Sequence, residues 1–444
     1  MSRFACYVLC GAVAASVCAG SAGAQLLGGA LPQVGLPGPV GNAPVAGPVL
    51  QNLLGSPQLQ QQVVAPTLDR VSGLPTTIAE SGSSTLAELR RMRLQELIRE
   101  NRAVLEADEH GLPVRRGVLI AADPDPLSLQ NALRAGFAIA SEDIEQLLGL
   151  RLVKLAVPRG MSAREAMKRL RAAAPRLQAD YDHVFEPAGG SLMPLAGTLA
   201  SMAGAGNGRV IGMIDGGVAS HPSLAGSSIE QNGFAGAPKP TGHGTAVASL
   251  LVGNQGPFRG AATGARLYVA DVYGGSNAAG SASAIVLALG WLASHGTQVI
   301  NISLVGPPNA IVARAIGAVQ RRGIRVVAAV GNDGPAAPPQ YPASYAGVVA
   351  VTAVDAKGRA LPEAGKALHL DFAAPGADMA AALPGQGFAR VRGTSFAAPL
   401  AAARLALDGS PERLAQEARK GSGRVGRGIV CFECRVDPRL VGAK

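Results

Sequence analysis

The sequence predicts an α/β protein: a parallel sheet flanked by helices over residues 208–407, preceded by a small α+β domain over 84–187. Three observations carry this. From 209 to about 407, short apolar strands alternate with helical stretches, the pattern of a parallel sheet covered on both faces. Before it, residues 113–187 run strand, helix, strand, strand, helix, strand, a ferredoxin-like order. Of the 444 residues 48% are hydrophobic and 16% charged, which excludes a disordered chain and supplies the apolar surface for two or three folded units.

At the N terminus Arg3 precedes an apolar run over 4–19, and Ala22-Gly23-Ala24 forms a small-residue cleavage pattern before Gln25. Residues 1–24 are expected to be a secretory signal peptide, and the protein to be secreted without a membrane anchor. No later run reaches about 18 apolar residues free of charges or breakers. Residues 25–83, rich in Gly, Pro, Leu and Gln without a period, are expected to be a linker. A helix is expected to start at Ser84 or Thr85, with Glu88 in its first turn and Leu86, Leu89, Leu94, Leu97, Ile98 and Leu105 near helical spacing.

Within the α+β domain, 117–121 and 151–157 read as strands, 128–135 as a helix, and 179–185 as a last strand. Ser162 and Glu165 form a capping box for a helix whose apolar face is Ala166, Leu170 and Ala173. No cluster of catalytic residue types lies here, so a binding or chaperoning role is expected. Small, Gly-rich residues 188–207 read as a flexible processing segment. The sheet region then offers strands at 210–214, 267–272, 299–304, 326–330 and 348–354, and helices at 243–251, 282–295 and 310–322. Residues 408–444 read as a tail, with a flexible, basic stretch at 421–428.

Net charge is +10, yet the basic residues are dispersed, mostly as Arg, so no nucleic-acid partner is expected. Of five Cys, three lie in the signal peptide. Cys431 and Cys434 remain, and an oxidising compartment favours a local disulfide between them over zinc or redox chemistry. The acidic residues of the sheet region form no D-x-D cluster, so no metal and no cofactor is expected.

Three motifs carry the chemistry. The strand at 210–214 ends in Asp215-Gly216-Gly217; Gly242-His243-Gly244-Thr245 opens a helix; and Gly393-Thr394-Ser395 opens another. A Ser hydroxyl is a weak nucleophile until a base removes its proton, His titrates near neutrality, and a carboxylate fixes the imidazole tautomer. A fourth strand ends at Asn332, whose amide can donate to an oxyanion.

In these motifs the chain resembles the subtilisin-like serine proteases, the subtilases. The similar segments are D-G-G-V-x-x-H-P-S-L from Asp215, G-H-G-T-A-V-A-S from Gly242, A-A-V-G-N-D-G from Ala328 and G-T-S-F-A-A-P from Gly393, with connectors at Val299, Tyr341 and Phe372. The resemblance covers about half the chain. It implies a serine endopeptidase with Ser395 as nucleophile, His243 as base, Asp215 as orienting carboxylate and Asn332 as oxyanion donor. It further implies that Ser303 and Leu304 pair with the substrate backbone and that Gly331 lines the pocket before the scissile bond. The partners implied are protein or peptide substrates and the chain's own 84–187 domain, acting in cis as a propeptide that assists folding and blocks the site. Two residues depart from the family pattern: Gly216 stands where Ser or Thr is usual, and Val305 where Gly is usual. Gly216 is the best support for the alternative, a weak or inactive binding protein on the same scaffold. An α/β-hydrolase would want G-x-S-x-G and the order Ser, Asp, His, which this chain lacks.

Overall fold

In the computed structural model, residues 76–188, 208–385 and 387–443 are described, with side chains of the first helix from Thr85 onward. The signal peptide, most of the 25–83 segment and nearly all of 188–207 lie outside them. The α+β unit comprises α1 (Thr76–Glu100), β1 (Leu105–Ala107), β2 (Pro113–Ala122), α2 (Pro126–Arg134), β3 (Ala138–Glu145), β4 (Leu150–Ala156), α3 (Ala163–Ala173) and β5 (Ala179–His183). Its antiparallel sheet runs β5-β2-β4-β3, with β1 also on β2. Asp125 caps α2, and the Ser162–Glu165 capping box starts α3. α1 begins at Thr76, inside the segment expected to be linker. Ser84 and Thr85 suit an N-cap, but extending an established helix is far cheaper than nucleating one, so local signals need not stop it.

One face of this sheet packs on its own helices, around Leu119, Val153, Phe137, Met167 and Leu170. The other face, with Ile120, Leu150 and Leu152, joins the core of the following unit.

β6 (Glu186–Pro187) ends the α+β region, and the sheet unit follows with β7 (Val210–Asp215), β8 (Ile229–Gly233), α4 (Gly242–Val252), the hairpin β9–β10 (Asn254–Gln255, Phe258–Arg259), β11 (Arg266–Asp271), α5 (Ala282–Ser294), β12 (Val299–Ile302), β13 (Leu304–Val305), α6 (Ala310–Arg321), β14 (Arg325–Ala329), β15 (Val349–Val354), β16 (Phe372–Pro375), the hairpin β17–β18 (Met379–Ala382, Phe388–Val391), α7 (Thr394–Asp408) and α8 (Pro411–Glu417). Seven strands form a parallel sheet in the order β16-β15-β14-β12-β7-β11-β8. Alternate side chains feed two cores. Ile211, Met213, Val327 and Ala329 pack with α4 and α7, while Ile214, Ile300, Ile302 and Ala328 pack with α5 and α6. Two strands of the parallel sheet exceed the sequence expectation. β8 is a polar edge strand without an apolar run, and β16 is only four residues long. The expected 299–304 strand divides at Ser303: β12 stays in the parallel sheet and β13 turns to pair antiparallel with β6.

The tail is no separate appendage. Leu414, Val430 and Cys431 are buried in the α4–α7 core, and Ile429 forms a parallel bridge with Ala373 on β16. The 421–428 stretch, expected to be flexible, is held at Ser422 by the Ala360 N–H (3.0 Å) and at Arg427, whose N–H donates to Asp371 O (2.7 Å). Arg427 also lies over the Phe372 ring. Cys431 and Cys434 are joined by a disulfide at the turn that follows.

Two helix N-termini of the sheet unit are completed by β5. Asp182 accepts hydrogen bonds from the Ser283 N–H (2.8 Å) and hydroxyl (2.9 Å) at the start of α5, and Asp180 from the Ala310 N–H (2.8 Å) at the start of α6. Carboxylates there meet orphan donors and the positive end of the helix dipole. Asp182 is buried, so Asp182→Ala leaves the Ser283 N–H unsatisfied and should destabilise the full chain by about 1.5–3 kcal/mol in urea denaturation, more than Asp180→Ala, whose carboxylate is partly wet.

Candidate active site

Asp215 ends β7, His243 sits in the first turn of α4, and Ser395 in the first turn of α7. All three are buried, with Asp215 1%, His243 4% and Ser395 0% exposed, so their interactions are little screened by water. Asp215 Oδ1 accepts from His243 Nδ1 (2.9 Å) and from the Gly216 N–H (2.7 Å). That bond puts the proton on Nδ1 and leaves Nε2 a lone pair. His243 Nε2 and Ser395 Oγ, both buried, have no hydrogen-bond partner in this arrangement. The ring of Phe396 lies 5.3 Å from that of His243.

Gly216 has a physical reason. A Cβ there would lie 2.4 Å from Thr241 Oγ1, because Thr241 fills that space while capping α4 through the Gly244 N–H (2.9 Å). The sequence reading missed Thr241, although a Thr before G-H-G is a legible N-cap signal.

The nucleophile helix is fastened from β12. Ser303 Oγ donates to Ser395 O (2.9 Å) and accepts from Asn301 Nδ2 (3.0 Å). Asn332 Oδ1 accepts from the Thr394 N–H (2.9 Å), which turns its amide NH2 toward Ala188 O. Gly393, at φ +140°, leaves room for that amide: a Cβ would come within 3.0 Å of Nδ2.

The cleft holds the chain's own segment 185–188. Phe185 N–H donates to Gly280 O (2.7 Å), Tyr273 OH to Phe185 O (3.0 Å), and Ala188 N–H to Ser303 O (2.8 Å). Between them, Glu186 pairs with Val305 and Pro187 with Leu304. Phe185 is fully buried, and a Cβ on Gly306 would stand 2.5 Å from its ring. Val305 and Gln340 close around Gly331, each 3.3 Å from where a Cβ would be. Phe185, Tyr273, Gly280 and Gly306 escaped sequence reasoning because only folding gathers them.

Around the triad, Asp271 accepts from the N–H groups of Lys239, Tyr273 and Gly274; burial still raises its pKa. Burial, reinforced by Asp215, pushes the Tyr273 hydroxyl well up, so it stays a donor to Phe185. His183 and His221 serve structure: His183 Nε2 faces Asp108 (3.2 Å), and His221 Nε2 donates to Gly387 O (2.9 Å). Among the described residues no three His, Cys, Asp or Glu side chains gather as a metal site, and no helix is long and apolar enough to cross a membrane.

A parallel sheet covered on both faces, presenting a His–Asp pair, a Ser at a helix start and an Asn amide over one cleft, defines a serine peptidase class. The chain belongs to the subtilase family: the Subtilase family model matches residues 206–413. It is 36% identical over 207 residues to Subtilisin Savinase of Lederbergia lenta, spanning 46% of this chain and 76% of that protein. An alkaline protease of Alkalihalobacillus alcalophilus is also 36% identical over 207 residues; the match spans 46% of this chain and 54% of that one. Fervidolysin from Fervidobacterium pennivorans, a keratinolytic enzyme related to subtilisin, shares the fold with a TM-score of 0.59 at 20% identity, over 72% of this chain and 61% of its own.

The steric account of Gly216 is testable. Gly216→Ser should destabilise the protein by roughly 1–3 kcal/mol through overpacking, and adding Thr241→Ala should recover part of that in thermal unfolding.

Proposed function

We propose that the chain is a secreted serine endopeptidase made as a precursor, whose 84–187 domain assists folding and occupies the cleft until it is cut away. The observation that carries this reading is the seating of Ala188: its carbonyl oxygen meets the amide of Asn332, whose Oδ1 holds the Thr394 N–H, and its N–H binds the carbonyl of Ser303, whose hydroxyl donates to Ser395 O.

Ser395 Oγ attacks the Ala188 carbonyl carbon as His243 Nε2 takes the hydroxyl proton. Asp215 holds the ring by Nδ1–H and stabilises the imidazolium that forms. Negative charge gathers on the carbonyl oxygen, where Asn332 Nδ2 donates; removing one such donor raises the barrier by about 3–4 kcal/mol. The C–N bond breaks as His243 returns the proton to the leaving amine, leaving an acyl-enzyme on Ser395. Water, deprotonated by His243, then releases the acid. On this reading the bond after Ala188 is the processing site, within the segment the sequence marked for cleavage, and substrates carry a small residue there.

The chaperoning role is supported by Asp180 and Asp182, which complete two helix starts of the sheet unit, and by the apolar face that Ile120, Leu150 and Leu152 lay on its core. Secretion rests on the leader-like residues 1–24.

Ser395→Ala should leave the chain full-length and lower peptide hydrolysis by roughly a millionfold, since triad members act as a unit. N-terminal sequencing of the wild-type product should begin Gly189-Gly190-Ser191; self-cleavage of the Ser395→Ala chain in cis would refute the assignment.

A further inference from the structure

The third residue before the proposed cut, Glu186, carries a carboxylate joined to Asp333 of the sheet unit through one guanidinium. Arg93 Nε donates to Glu186 Oε1 (3.2 Å) and an Arg93 NH2 group to Asp333 Oδ1 (3.1 Å). Arg90 adds a second cation to Asp333 (3.1 Å) and is itself steadied by Gln340 Oε1 (3.3 Å). Asp333 follows the oxyanion donor Asn332 directly in sequence. The two acids are largely withdrawn from water, at 14% side-chain exposure for Glu186 and 8% for Asp333, so their charges are weakly screened and a countercharge between them matters. Glu186 acts most strongly in holding Arg93 protonated, its pKa raised.

Both cations lie on α1, on the N-terminal side of the cut. When the cut segment leaves, Asp333 loses Arg90 and Arg93 together. A new peptide in the cleft then brings its own third residue to face Asp333 without the bridging guanidinium. A Glu or Asp there meets a like charge. A Lys or Arg is long enough to close the gap that Arg93 now spans, and meets a carboxylate with little competing water.

We propose that Asp333 selects substrates by charge at the third position before the cleaved bond: the released enzyme favours Lys or Arg there and disfavours Glu or Asp, and the precursor accepts Glu186 only because α1 lends it the guanidinium of Arg93. This rests on the reading of Ala188 as the residue before the cut. One consequence is directional. The end Phe-Glu-Pro-Ala is well held while α1 is docked and poorly held once it has gone, so the released enzyme is not blocked by its own product.

The test uses the full-length chain and the enzyme it releases. In the full chain, Arg93→Ala should slow self-processing by roughly tenfold, as loss of a close charge pair would, and Glu186→Arg added to it should restore the rate to within about threefold of wild type by pairing with Asp333 directly. Glu186→Arg alone, facing Arg90 and Arg93, should be slow. For the released enzyme, peptides Phe-X-Pro-Ala extended beyond the cut should be hydrolysed in the order X = Arg, Ala, Glu, with roughly tenfold or more in kcat/KM between the extremes, and Asp333→Asn should compress that ratio toward one. Equal rates for X = Arg and X = Glu, or a double variant no faster than Arg93→Ala, overturn the proposal while leaving the peptidase reading intact. A wild-type chain that neither processes itself nor cuts the X = Ala peptide removes the peptidase reading, and this inference with it.

Discussion

The register of three central strands fixes the position of everything else in the cleft. Ile214 of β7, Ile302 of β12 and Ala328 of β14 stand in one row of the parallel ladder. One step beyond that row stand Asp215 and Ser303, and Asn332 follows four residues after Ala328. A one-residue slip in any of these strands would send every side chain to the opposite face, and both faces are buried. The hydrophobic demand of two cores therefore holds the functional residues level with one another. Gly212 serves the same end: a Cβ there would lie 3.1–3.2 Å from Leu292 and Ile300, so its absence lets α5 close on the sheet.

Around this frame, electrostatics ties the α+β unit to the sheet unit. The starts of α5 and α6 present N–H groups that helix geometry leaves without partners, and β5 brings Asp182 and Asp180 to them. Asn309, which caps α6 with its Oδ1, turns its amide to Tyr181 O (2.9 Å). The same edge of the α+β unit leads into β6 and the occupied cleft, so apolar burial, helix capping and strand pairing act along one continuous surface. Each contact is modest; ordering one fixes the geometry of the next.

The two departures from the family pattern have local causes. Gly216 gives room to a threonine that caps the histidine helix, so the absent side chain is exchanged for a cap rather than lost. Val305 packs into the core beside Gly331 and pairs with Glu186 of the segment in the cleft. The tail answers another constraint. The outer edge of β16 would offer unpaired backbone groups, and Ile429 and Val430 occupy it, with the Cys431–Cys434 disulfide closing the chain direction just beyond. The tail is thus an edge cover of the sheet.

By itself the sequence determined the α/β class, the ferredoxin-like order before it, five of the seven parallel strands, and the four motifs whose residues meet in the cleft. These are local signals: buried strands are short apolar runs, helices announce their caps, and reactive residues stand beside glycines at element ends. The edge strands β8 and β16 escaped because one is polar and the other too short to show a period. The pairing of β6 with β13, the seating of Phe185 against Gly306, and the meeting of Arg90 and Arg93 with Asp333 were decided only by tertiary structure. Those partners lie far apart in the chain, Arg93 and Asp333 by 240 positions, and no local pattern of charge or hydropathy marks which distant group a folded surface will present to them.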